Sequence, residues 1–291
     1  MRRLASLGLC LASTGCLAAR ALAPDPMPAG GRVVHDLAYR DVSFGDDARR
    51  LDVFVPPGDG PHPVVVFVHG GFWVSGGRKA AFGVYERLGH RLAQAGVLGV
   101  VISYRLAPAH RHPAQISDVA AAIATAFDNV AQYGGDPQRV FVMGHSAGAH
   151  LALLAALDRR WLAAEGASPR RIAGVIGLSG VYDLPDLATR GRGKIRVPQV
   201  FGSSAEVWKQ ASPVTHVAKR TPRILLADGD EDYLVVREET AWLREALVKA
   251  GAPVEYFRVN ERNHEEVIVR FGEDEDPLAE RVLAFVSGSS R

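Results

Sequence analysis

Short apolar runs recur along this chain, and segments of helical period separate them. Val64–Val68 is five apolar residues in a row. Val97–Ser103, Val140–Met143, Ile172–Leu178 and Ile224–Leu226 are further short runs. Such runs, without polar alternation, predict strands of a parallel sheet covered on both faces. Val254–Val259 reads as the last strand. Asp36–Phe44 and Arg50–Val55 read as the first two, with Leu51, Val53 and Val55 on one face. Helical spacing is carried by Tyr85, Leu88, Leu92 and Ala93 within Gly83–Gly96, and by Val119, Ile123 and Phe127 within Ser117–Asn129. Ser117 stands in the N-cap region of that second segment. Ala149–Leu157, Glu238–Ala250 and Pro277–Val286 complete the predicted helices. Strand and helix alternate, so the expected class is α/β with a mostly parallel central sheet flanked by helices. Residues 185–214, with Gly191, Gly193 and interspersed prolines, are expected to form a small irregular cap-like insertion.

Composition narrows the class without changing it. The 291 residues are 47% hydrophobic and 23% charged, an ordinary balance for one large domain. A formal net charge of +2 gives no electrostatic signature for nucleic acid. The two cysteines, Cys10 and Cys16, both precede the predicted strands, which excludes a disulfide framework or a cysteine metal site in the body. Arg2–Arg3, the apolar Leu4–Leu11 and Ser13–Thr14–Gly15–Cys16 resemble an export signal with a lipobox. Residues 1–23 are therefore expected to be a targeting segment, 24–35 a linker and 36–291 the domain. Cys16 is the candidate lipidation site. The expected location is exported, periplasmic or membrane-anchored, with any membrane attachment running through that lipid. Cleavage after Ala23 and an uncleaved cytosolic chain are the alternatives.

The chemistry concentrates at Gly144–His145–Ser146–Ala147–Gly148, which follows an apolar run and precedes an Ala/Leu run. Gly-x-Ser-x-Gly in a strand–turn–helix context exposes a serine hydroxyl on a strained turn, where two glycines leave room for the backbone. A second glycine-bearing loop, His69–Gly70–Gly71–Phe72–Trp73, follows the run at Val64–Val68. Asp228–Gly229–Asp230–Glu231–Asp232 gathers acids at the end of a strand, and His264 lies in the loop after the last one. The alternating acids also raise a calcium loop, but glycine and glutamate do not follow at the spacing such a loop needs. The basic residues Arg190, Arg192, Lys194 and Arg196 read as a solvated loop.

Taken in this order, the motifs resemble the α/β-hydrolase superfamily over about residues 36–286. The groups most similar are the feruloyl-esterase-like, hormone-sensitive-lipase-like and arylformamidase-like carboxylesterases. His69–Trp73 resembles their HGG-type oxyanion loop, with Phe72 where the last glycine of a full HGGG would stand. Tyr104–Ala114 resembles their YRLAP stretch, here a brace for the site. Gly229-x-x-Asp232-x-x-Val235 resembles their acid loop. The resemblance implies Ser146 as nucleophile, His264 as base and Asp232 as acid, with Asp230 the alternative acid. It implies the amides of Gly71, Phe72 and Ala147 as oxyanion donors, with Gly70 a substitute. His69 is read as orienting its loop and Trp73 as packing or pocket wall. No cofactor or metal is expected, and the expected partner is a small-molecule ester. The implied activity is serine carboxylesterase. An arylformamidase-like amide hydrolase and a non-catalytic binding protein on the same fold are the alternatives.

Overall fold

The computed structural model describes residues 26–42, 47–79, 83–273 and 275–288. The expected targeting segment, with Cys16, lies outside them. In chain order the elements are β1 (Arg32–Ala38), β2 (Arg50–Val55), β3 (His62–Val68), α1 (Val84–Gln94), β4 (Leu98–Ile102), α2 (Ala114–Asn129) and β5 (Gly135–His145). Then come α3 (Ala147–Leu157), α4 (Arg159–Ala164), β6 (Ile172–Leu178), α5 (Leu184–Leu187), α6 (Gly193–Phe201), α7 (Ala205–Gln210) and β7 (Arg223–Gly229). The chain closes with α8 (Leu234–Ala250), β8 (Val254–Val259), α9 (Glu266–Val269) and α10 (Pro277–Ser287).

One eight-stranded sheet runs β1-β2-β4-β3-β5-β6-β7-β8. β1 and β2 are antiparallel to their neighbours, and β4, β3 and β5 through β8 are mutually parallel. Successive residues of a strand reach opposite faces. Val64, Val66 and Val68 join a core with α2, α3 and α8, while Val65 and Phe67 join another with α1 and α10. A strand roofed on both sides has to be apolar at every position, which is why β3 carries an unbroken run.

Three expectations shift. The first strand is Arg32–Ala38, so it begins inside the expected linker. It is an edge strand of mixed burial, held by its ladder to β2 rather than by an apolar face. The second predicted helix starts at Ala114, with Pro113 at the cap position. Ser117 therefore sits inside the first turn, where its N–H donates to the Pro113 carbonyl at 3.0 Å. Residues 185–214 are not irregular: they hold most of α5, then α6 and α7. These helices of 4 to 9 residues are too short to show a period, and Asp183 and Ser204 cap the first and third.

Because the parallel strands share one direction, the loops after β3, β5, β6, β7 and β8 gather at their carboxyl ends. The candidate triad and oxyanion residues lie in or directly after these loops. Among the described residues, no helix is long and apolar enough to cross a membrane.

Candidate active site

β5 ends at His145 and α3 begins at Ala147, leaving Ser146 alone on the turn. Its backbone has φ 55° and ψ −122°. A left-handed φ at a residue with a side chain costs of order 1–3 kcal/mol and persists only where the surroundings impose it. Here Ser146 N–H donates to the Leu178 carbonyl at 2.9 Å, pinning the turn to β6. The flanking glycines are needed for space: a Cβ on Gly144 would overlap the Gly148 carbonyl, and one on Gly148 would overlap the Val68 carbonyl.

The three side chains named from the sequence meet. His264 Nε2 lies 2.9 Å from Ser146 Oγ, and His264 Nδ1 lies 2.9 Å from Asp232 Oδ1. An ionised carboxylate only accepts, so Nδ1 carries the hydrogen and Nε2 is left to accept from the serine hydroxyl. All three are buried. Burial pushes the Asp232 carboxyl up, but the hydrogen bonds from His264 Nδ1–H and the Tyr233 N–H outweigh it and hold it below the ordinary carboxylate value. Tyr233 packs its ring 5.0 Å from that of His264 while half of it faces solvent, so it forms an outer wall.

The acid loop and the histidine loop are held together by contacts that involve neither side chain. A Cβ on Gly229 would overlap the Arg262 carbonyl, and Glu231 N–H donates to that carbonyl at 3.1 Å. Asp230 accepts from Arg262 N–H at 3.3 Å, so it braces the loops rather than reaching His264. Asp228 is spent on Arg258 Nε at 2.7 Å and the Tyr256 hydroxyl at 2.9 Å. The three aspartates of the acid string thus have three separate partner sets. No group of three or more potential metal ligands gathers among the described residues.

The loop after β3 turns sharply, with φ of 106° at Gly71, 52° at Phe72 and 61° at Trp73. Val74 and Ser75 N–H groups close it onto the Gly71 carbonyl at 3.0 and 3.1 Å. Among the described residues, the N–H groups of Gly71, Phe72 and Ala147 donate to no protein acceptor. His69 orients this loop. Its Nδ1–H donates to the Gly70 carbonyl at 2.7 Å, and its ring stacks on Tyr104 at 4.1 Å. Burial pushes His69 down to about 4, so the ring is neutral near neutral pH. Tyr104 donates in turn to the His69 carbonyl at 3.0 Å, and Arg105 forks onto Asp118 at 2.8 Å through both Nε and Nη2. The Tyr104–Ala114 stretch therefore backs the loop, as the sequence suggested.

Trp73 is fully buried and packs rather than lining an open pocket. Its Nε1–H donates to His150 Nδ1 at 3.2 Å, and His150 Nε2–H donates to the Ala211 carbonyl at 2.8 Å. This ties the glycine-bearing loop, the elbow helix and the end of the cap. Within the cap, Arg190 pairs with Asp186 and Glu238 and lies over the Trp242 ring, whereas Arg192 and Lys194 face solvent. Two residues at the site were passed over in the sequence. Ser179 adopts φ 50° beside Asp232, and His145 donates to the backbone carbonyl of His264 at 2.9 Å. The only sequence signal for His145 was a titratable residue at an unconstrained position of the pentapeptide.

The model of the BD-FAE family matches residues 51–247, more than half of the chain. The chain belongs to the BD-FAE family. Isoprenylcysteine alpha-carbonyl methylesterase ICME of Arabidopsis thaliana is 32% identical over 256 residues, covering 82% of this chain and 58% of that protein. Esterase LipC of Mycobacterium tuberculosis is 38% identical over 233 residues, covering 74% of this chain and 56% of that protein. The chain thus spans little more than half the length of these relatives. Among solved structures, a truncated carbohydrate esterase from gut microbiota superimposes with a TM-score of 0.75 at 21% identity, covering 89% of this chain and 96% of that one. That likeness establishes the α/β-hydrolase fold.

Proposed function

We propose that this BD-FAE chain is a serine hydrolase of small carboxylic esters. The reading rests on one observation above the rest: the unbroken hydrogen-bonded chain Asp232–His264–Ser146, 2.9 Å at each link, on a strained strand-to-helix turn. Relatives named as esterases support the ester class.

His264 Nε2 takes the Ser146 proton as Oγ attacks the ester carbonyl. Asp232 keeps the imidazole in the tautomer that leaves Nε2 free and stabilises the imidazolium that forms. The carbonyl oxygen gains negative charge and turns toward the Gly71, Phe72 and Ala147 N–H groups, which need break no protein hydrogen bond to receive it. His264 then gives its proton to the departing alkoxide, leaving the acyl group on Ser146. A water attacks this acyl-enzyme with His264 again as base, releasing the acid and restoring the hydroxyl.

Steady-state hydrolysis of p-nitrophenyl acetate by the wild type and Ser146→Ala tests this. The wild type is expected to turn over, and Ser146→Ala to lose at least about 10⁴-fold in kcat with an unchanged circular dichroism spectrum. A wild type inert across p-nitrophenyl esters from acetate to dodecanoate would overturn the ester reading. A large preference for N-formylkynurenine would move it to amide chemistry.

A further inference from the structure

Ser146 and the His264 loop belong to distant parts of the sheet. The elbow follows β5, the His264 loop follows β8, and β6 and β7 lie between. The His264 side chain is fixed at both nitrogens by Ser146 and Asp232. Its backbone needs a separate anchor, because a small shift of the loop would carry the imidazole off both partners.

That anchor is the residue preceding the serine. His145 Nε2 lies 2.9 Å from the His264 carbonyl oxygen, and the two rings pack 4.9 Å apart. A carbonyl only accepts, so Nε2 carries the hydrogen and the ring is committed to one tautomer. The other edge faces the glycine-bearing loop: a Cβ built on Gly70 would stand 3.2 Å from His145 Nδ1 and 3.2 Å from Ser146 Cβ. His145 is therefore wedged between the two loops that flank Ser146, with its donor pointing at one of them. It is buried, and burial pushes it down to about 3, so it stays a neutral, single-donor strut at working pH.

We infer that His145 is a positioning residue, whose Nε2–H holds the backbone of His264 and so sets the distance between the imidazole and Ser146. The inference rests on the proposed roles of Ser146 and His264, but the bond itself can be tested without turnover. His145→Phe keeps a flat ring and removes the donor. His145→Gln places an amide N–H₂ at about the reach of Nε2. Both are compared with wild type by kinetics on p-nitrophenyl acetate and by the downfield proton resonance of His264 Nδ1–H.

His145→Phe is expected to lose about 10- to 100-fold in kcat, the scale of a misplaced catalytic group, with KM little changed, and to broaden or shift the resonance. His145→Gln is expected to recover most of the rate and the wild-type resonance. A His145→Phe protein with wild-type kcat and resonance overturns the inference, as does a His145→Gln protein as impaired as His145→Phe in both. If the resonance responds as expected while wild type hydrolyses no ester, the strut stands and the esterase reading falls.

Discussion

Two hydrogen-bonded polar clusters, each centred on buried side chains, are built into this fold, and they differ in how their central groups are paired. At the antiparallel side of the sheet, the Arg78 guanidinium is buried against Asp36, Asp47, Asp52 and Ser103. Nε donates to Asp52 at 3.0 Å, one terminal nitrogen to the Asp47 carbonyl and the Ser103 hydroxyl, and the other to the Asp36 and Asp47 carboxylates. Five N–H groups meet five acceptors, so the guanidinium is fully paired. At the carboxyl ends of β5, β7 and β8, the chain from Asp232 ends in a serine hydroxyl, and the turns around it carry N–H groups that, among the described residues, donate to no protein acceptor. A buried charged group at the centre is common to both. Unspent hydrogen-bonding capacity at one end is what distinguishes a reactive arrangement from a structural clamp.

The sharpest way to break the comparison uses two aspartates four residues apart. Asp232→Asn, which presents the wrong hydrogen-bonding pattern to His264, is expected to cost about 10⁴ in kcat with little change in KM. The Asp228 carboxylate hydrogen-bonds to Arg258 and Tyr256, and Asp228→Asn is expected to leave kcat nearly intact while lowering the melting temperature. Equal kinetic losses would erase the distinction between an acid that serves the site and one that serves the fold.

Acid separates the clusters next. Burial pushes His69 down to about 4, and His145 and His150 down to about 3, from 6.5. An unfolded chain binds protons at these histidines below 6.5 when the native one does not. Their stability contribution is thus complete above that pH and is lost as pH falls toward 4 to 3, by up to about 4 kcal/mol per pH unit when all three act together. On the other side, the hydrogen bonds of Lys79 and Arg78 hold Asp36 down at about 2, so its contribution fades only below the ordinary value of 3.8. Urea unfolding at a series of pH values is expected to show the steep limb beginning near 6. A flat profile down to pH 4 would contradict neutral histidines around the elbow.

The clamp can also be opened alone. Arg78→Met leaves Asp52 buried without its cation and is expected to cost about 3 kcal/mol of stability, read from the urea midpoint. The kcat of the folded protein should stay near wild type. A large loss of kcat at full folding would mean that the clamp reaches into the site.

Much of this was legible in the sequence, for physical reasons. β3 and β6 announced themselves because strands roofed on both faces admit little but apolar residues. Ser146, Asp232 and His264 could be named because each follows a strand in a recognisable order, and the structure brings them within hydrogen-bonding distance of one another. β1 was misplaced because an edge strand is held by its ladder, which leaves no apolar pattern. The cap helices were missed because a helix of one or two turns shows no period. His145 and Ser179 were missed because their role depends on which loop lies across the sheet from them, and that is a property of topology rather than of local spelling.

The crowding around Gly144 and Gly148 has a consequence for how tolerance to change will be distributed. Both glycines are demanded by neighbouring backbone, whereas at Ser146 a small side chain is demanded by space and the hydroxyl by what it touches. In a saturation library scored twice, once for yield of folded protein and once for turnover, the two glycines should be depleted in both screens. Among small replacements such as alanine, glycine and cysteine, the serine should be depleted in the second alone. One short string of letters would then separate into positions written by space and a position written by reactivity.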